Sequence, residues 1–318
     1  MEVDRVKAQI ELSSEQLLKE FVRDAAIRGL TEETIRSYRG NMKIFLKFLN
    51  KSALEIETKD LKEFLYHLRK EKHLTDGTIN MYFCSLFSFY DYLEIEGLIE
   101  KNPIPNFRKR YLKNLRKTYK HGNLKRKLIT IDEMRKLVDS IVDPRDKAIV
   151  VLLAKTGIRR KELINIDIDD INWIEQSIRL KCTPKRTNTL VFFDDECARV
   201  LKRWILVRNS TYVNNGCKAL FLGERGERLQ GNGVYNIIQK YAKRIGLYDE
   251  NSKNLEDHFG PHCFRHWFTT YLLRNGMPRE YVKELRGDSR LEAVDMYHHI
   301  DREDLRESYL ACIPKLGI

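Results

Sequence analysis

Between Phe107 and Lys127 the chain carries ten lysines and arginines and no acidic residue. The run comes directly after Asn102-Pro103-Ile104-Pro105, where two prolines interrupt any regular element. A block of like charge repels itself and adds little to a hydrophobic core, so it divides the chain into an earlier and a later segment. A chain of 318 residues is long enough for two ordinary domains, each with its own core and no need of disulfides or a structural metal. The expected organisation is a domain over residues 1–106, a basic interdomain linker over 107–127, and a second domain over 128–318.

The first segment reads as four or five helices. Ser13 and Gln16 make a capping-box signature ahead of the inward set Leu17, Leu18, Phe21, Val22 and Ala25. Ile35, Tyr38, Met42, Phe45 and Leu49 recur at intervals of three and four. Leu61, Phe64, Leu65 and Leu68 mark a third helix, and Ile79, Tyr82, Leu86, Tyr90 and Leu93 a fourth. Aromatic residues at that spacing are explained by mutual packing in a small helical bundle.

The second segment mixes element types. Thr130 with Glu133 is another capping box, and Pro144 opens a helix whose buried run Ile149–Leu153 is ended by Gly157. A short helix with Glu162 and Leu163 comes next, and Asp167–Trp173 reads as a loop. Strands over 177–182 and 189–193 flank the basic tip Pro184-Lys185-Arg186-Thr187-Asn188, and further helices cover 194–208 and 232–245. The fold class is mainly α with a small β-sheet.

With 58 Lys and Arg against 46 Asp and Glu the net charge is +12, which favours a polyanionic partner, most often nucleic acid. Arg108, Lys109, Arg110, Lys113, Arg116, Lys117, Lys125, Arg126 and Lys127, interleaved with Tyr111 and Tyr119, are candidates for tracking a phosphate backbone, as is Arg186 on the hairpin tip. Six scattered cysteines without a C-x-x-C pair argue against a zinc ribbon or disulfide framework and for a reducing cytosol. Met1–Glu20 is charged throughout and no apolar run approaches a membrane span, so a cytoplasmic protein with no membrane attachment is expected. There is no P-loop or dinucleotide fingerprint.

The chemistry concentrates between Gly260 and Ile300. His262 and Arg265 lie three apart and share one helix face, while Phe264, Phe268, Tyr271 and Leu272 would bury another. A cationic pair, with Tyr297 delivered from a later helix, suits a phosphate held for attack by a phenol oxygen. Alone, each of these residues is more often structural. His262 and His266 at i and i+4, with His258, His298 and His299 nearby, have a spacing that zinc sites also use. The glutamate of an H-E-x-x-H site is missing, so no metal and no cofactor are expected.

Upstream, Thr156-Gly157-Ile158-Arg159 with Glu162 three residues on adds a further arginine. Arg159, Lys185, the His262–Arg265 pair and Tyr297 then occur in one domain, and in this order the chain resembles the tyrosine recombinase (phage integrase) family over nearly its whole length. The resemblance implies a helical N-terminal core-binding (SAM-like) domain and a mixed α/β catalytic domain forming a clamp around duplex DNA. Arg159 and Arg265 would hold the nonbridging phosphate oxygens, since planar guanidiniums suit bidentate contact with developing negative charge. Lys185, with Lys181 as the alternative, would protonate the leaving 5′ oxygen. His262 would accept the proton of Tyr297 or hold the phosphate. Tyr297 would be the nucleophile of a 3′-phosphotyrosine intermediate.

One position departs from the family pattern: nine residues before Tyr297, Gly287 is succeeded by Asp288 instead of histidine. As a catalytic candidate Asp288 could be protonated, could orient Arg265 or Arg286, or could lie outside the site; as the first residue of DSRLEAVDMYHHI it could simply cap a helix, which the sequence favours. The resemblance also implies that the apolar tail Ile313–Ile318 docks into a neighbouring protomer, in a tetramer on two core sites. With no arm-type domain expected before residue 13, simple core sites are expected. The function read here is a site-specific recombinase or integrase. A chromosome-dimer resolvase and a catalytically silent DNA-binding regulator are the alternatives, and the L-R-G-D-S-R variant tilts the balance toward an integrase.

Overall fold

The computed structural model describes residues 13–113, 128–183, 186–212, 216–252, 254, 257–288 and 300–318. The chain divides into two compact units, residues 1–123 and 124–318.

In the first unit the helices start where the sequence supplies caps. Helix α1 (Ser14–Ile27) opens on the Ser13–Gln16 capping box; α2 (Glu32–Leu49) and α4 (Asp76–Ile95) open on Thr31 and Thr75, whose hydroxyls accept from the third backbone amide of the helix. Between these last two lies α3 (Thr58–Tyr66), continued by a π-turn over His67–Glu71. The core is aromatic. Phe45 meets Phe64 edge-on at 4.9 Å, and Phe21 meets Phe89 at 5.4 Å and 89°. The Tyr90 hydroxyl, fully buried, donates to the Ala53 carbonyl at 3.1 Å.

The expected linker does not begin at residue 107. Pro103 starts a fifth helix, α5 (Ile104–Tyr111), and Phe107 stacks on Phe83 at 5.3 Å and 5°. Phe107 and Leu112 are buried members of the first core, so apolar packing carries the helix well into the basic run.

The second unit is built around α7 (Pro144–Thr156), buried from Ala148 to Thr156. Helix α6 (Ile131–Asp139) precedes it, opened by the Thr130–Glu133 capping box. After it come α8 (Arg160–Ile164) and an antiparallel sheet in the order β1 (Ile171–Asn172), β2 (Ser177–Arg179), β3 (Leu190–Phe192). The stretch expected as a loop over 167–173 thus contains a 3-10 turn and an edge strand. The register pairs Ile178 with Val191, both buried, on the face turned to the core. Helices α9 (Asp195–Thr211), α10 (Gly231–Arg244), α11 (Pro261–Arg274), α12 (Arg279–Arg286) and α13 (Arg302–Cys312) complete the unit.

The C-terminal tail, expected to reach a neighbouring protomer, is seated on its own unit. Ile313 and Leu316 are buried, and Glu196 accepts the backbone amides of Leu316 at 2.8 Å and Gly317 at 2.6 Å. Lys155, fully buried in α7, donates to Asp194 at 2.7 Å, to Glu196 at 2.6 Å and to the Pro314 carbonyl at 2.8 Å. Lys315 adds a second ammonium, 3.3 Å from Asp194, and the two carboxylates sit at the N-terminus of α9, where the helix dipole favours negative charge. Desolvation alone would push the Glu196 carboxyl up, but the tail amides and Lys155 outweigh it and hold it below its ordinary range.

Removing Lys155 would leave the buried Asp194 with only the largely exposed Lys315, 3.3 Å away, as a counter-charge. Lys155→Met should destabilise the second unit by about 3–5 kcal/mol, seen as a lower denaturant midpoint in its unfolding transition. An unchanged midpoint would show that the tail network contributes nothing to stability.

Candidate active site

The site grows from two helix ends. Gly157 ends α7 with φ of 60°, a left-handed conformation that L side chains adopt only with strain, and a Cβ there would collide with the Phe268 ring. Its carbonyl is thereby aimed at Arg265, whose Nη1 donates to it at 3.0 Å. Two residues on, Arg159 is the N-cap of α8. Glu162, buried in the first turn, accepts the Arg159 backbone amide at 2.6 Å through Oε2 and Arg159 Nη1 at 2.9 Å through Oε1.

The second end is the C-terminus of α12, whose last carbonyls have no partners within the helix. Arg265 Nη2 donates to the Arg286 carbonyl at 2.9 Å, and Arg186 donates to those of Leu285 at 2.7 Å and Arg286 at 3.2 Å. Gly287 then turns the chain with φ of 60° beneath Arg186, where a Cβ would collide with the Arg186 side chain. This brings Asp288 to the arginines. Its Oδ1 accepts from Arg265 Nη2 at 2.7 Å and from Arg159 Nη2 at 3.4 Å. Its Oδ2 lies 3.0 Å from Arg286 Nε in an ion pair without an aligned hydrogen bond. Burial, and then the neighbouring guanidiniums of Arg159 and Arg286, bring the Arg265 pKa down to about 10, so it stays charged at neutral pH.

His262, on the first turn of α11, is exposed and lines a cleft of about 230 Å³ with Arg159, Arg160, Tyr235 and Arg265. The structure therefore brings Arg159, His262, Arg265 and Asp288 together. Lys185, Tyr297, His298 and His299 lie outside the described residues, as do Arg116, Lys117, Lys125, Arg126 and Lys127. The alternative lysine, Lys181, is paired with Asp167. Among the described residues no group of His, Cys, Asp and Glu is arranged to hold a metal ion. No described helix is long and apolar enough to cross a membrane.

One expectation changes. Arg186 is not an exposed phosphate contact: it is buried, and its guanidinium is taken up by Glu162 at 3.2 Å, by the α12 carbonyls and by the Asn188 carbonyl. The negative end of a helix, out of view in a linear hairpin sequence, draws it inward. For Asp288, both carboxylate oxygens face arginines, as the orienting alternative requires, while the helix it was expected to cap lies outside the described residues. Of the remaining basic candidates, Arg108 donates to Asn80 at 3.0 Å, while Lys109, Arg110 and Lys113 are exposed.

Residues 127–304 match the Phage integrase family, and residues 17–99 match the phage integrase N-terminal SAM-like domain. The chain belongs to the phage integrase family of tyrosine recombinases. It is 29% identical over 287 residues to a tyrosine recombinase of Thermosipho africanus, covering 87% of this chain and 92% of that one. It is 30% identical over 297 residues to tyrosine recombinase XerC of Oceanobacillus iheyensis, covering 89% and 90%. A lambda integrase dimer bound to a COC′ core site shares the integrase fold at a TM-score of 0.67 with 17% identity, over 91% of this chain and 98% of that one.

The candidate site leans on Gly157 twice, for the helix end and for the Arg265 anchor. Gly157→Ala should cost about 1–3 kcal/mol from the backbone alone, with the Phe268 collision in addition. The check is the unfolding midpoint, and a midpoint equal to that of the unaltered protein would contradict the close approach.

Proposed function

We propose that this chain is a site-specific recombinase that cuts and rejoins duplex DNA through Tyr297, with four protomers acting on two core sites. The observation that carries the reading is the convergence of Arg159 Nη2 and Arg265 Nη2 on one anionic oxygen. Two guanidiniums so aimed can hold the nonbridging oxygens of a single phosphodiester, where negative charge builds as the bond to the leaving oxygen breaks.

In this reading the Tyr297 oxygen attacks phosphorus, the P–O5′ bond breaks, and the 5′ oxygen takes a proton from Lys185. His262, at the mouth of the same cleft, accepts the Tyr297 proton or holds the phosphate. The phosphotyrosine ester conserves the energy of the broken bond, so attack by a 5′ hydroxyl of another strand reverses the step without ATP. The exposed Lys109, Arg110 and Lys113 of the first unit, and the basic residues that come after them, would contact the DNA backbone. Integration and dimer resolution use this same chemistry and differ in the sites acted on.

The test uses nicked duplexes carrying candidate core sites, resolved on a denaturing gel. A covalent protein–DNA adduct should form with the unaltered chain, vanish in Tyr297→Phe, and form about 100- to 1,000-fold more slowly in Arg265→Ala. Tight binding to a site without any adduct would reject strand transfer and favour a DNA-binding regulator.

A further inference from the structure

The contacts of Asp288 carry an inference that rests on the phosphate-clamp reading and extends it. Each clamp arginine has one terminal nitrogen fixed inward: Arg159 Nη1 on Glu162, and Arg265 Nη1 on the Gly157 carbonyl. The other terminal nitrogen of each is on Asp288 Oδ1; Arg265 Nη2 gives one of its two hydrogens to the Arg286 carbonyl at 2.9 Å and the other to Asp288. A carboxylate offers guanidiniums the same pair of coplanar acceptor oxygens that a phosphodiester offers through its nonbridging oxygens. We propose that Asp288 is an internal competitor for the phosphodiester: its carboxylate takes the Arg159 and Arg265 donors that the phosphate needs, and substrate gains the clamp only by displacing it.

The surroundings suit a carboxylate that can leave. The Asp288 side chain is 34% exposed, so its departure opens no core. Its backbone is tied, with the carbonyl accepting from Thr187 Oγ1 at 3.1 Å and the amide donating to the Lys283 carbonyl at 3.4 Å. Displacement is therefore a rotation about the side-chain bonds. Arg286, already 3.0 Å from Oδ2 and without an aligned hydrogen bond, gives the departing carboxylate a partner. The consequence is a threshold: an anion too weakly held elsewhere does not displace Asp288, and a duplex bound across its length does.

The experiment tracks inorganic phosphate binding to the full chain as a saturable rise in unfolding temperature, with ionic strength held constant by chloride. Asp288→Asn removes the charge and keeps an acceptor; Asp288→Ala removes both. Glu224→Gln, at an exposed position, controls for the change in net charge. Both Asp288 variants should half-saturate at phosphate concentrations about ten-fold or more below the unaltered chain, Glu224→Gln should match it, and Arg265→Ala combined with Asp288→Ala should show no saturable rise. Equal or weaker phosphate binding in the Asp288 variants, or no saturable rise in them, overturns the proposal; weaker binding would make Asp288 a positioning residue. This readout involves neither DNA nor Tyr297. Loss of the adduct with the phosphate gain retained would reject strand transfer alone. An adduct without the gain would reject the competitor alone.

Discussion

A single buried carboxylate, that of Glu162, holds the site together. It accepts the backbone amide and the guanidinium of Arg159, and it accepts Arg186 from the hairpin. Arg186 in turn grips the last carbonyls of α12, which fix the turn at Gly287 and with it the position of Asp288. A charge so placed in low dielectric is costly unless paired on every side, and here every side is paired. The arrangement orients Arg159 and Arg265 in advance, so in the proposed clamp role little reorganisation would remain to be done in the reaction.

The same unit uses a second buried ionic network for a different purpose. Lys155, Asp194 and Glu196 join α7 and α9 to the C-terminal tail, and the Tyr309 hydroxyl of α13 donates to the Lys155 carbonyl at 2.9 Å. The end of α7 thus carries the tail latch at Lys155 and, two residues on at the C-cap Gly157, the carbonyl that anchors Arg265. The order of the chain places the two networks on one helix end, behind which the run from Ala148 to Ala154 is fully buried.

Much of this was legible in sequence because it is local. The capping boxes at Ser13 and Thr130, the proline at the start of α7 and the glycine at its end are each decided within four residues, and the helical periodicities name the core residues directly. Arg159, His262 and Arg265 were legible through short motifs, and the structure brings them to one cleft. The features that sequence could not deliver depended on distant partners. Arg186 looks like a solvated hairpin tip until the carbonyls of α12, about a hundred residues later, are placed beside it. Nothing in the sequence around Asp288 shows the three arginines, far apart in the chain or at the end of α12, that its carboxylate meets. Phe107 hides in a basic run because charge patterning says nothing of a buried Phe83 waiting to stack on it.

If Arg159 and Arg265 form a clamp for one phosphodiester, a crystal structure of the full chain on a nicked core-site duplex will show it most directly. The expected result is nonbridging oxygens of a single phosphate within hydrogen-bond distance of both guanidiniums, with the Asp288 carboxylate turned away toward Arg286. A duplex bound with its phosphates remote from these arginines, and Asp288 still held between them, would contradict the clamp.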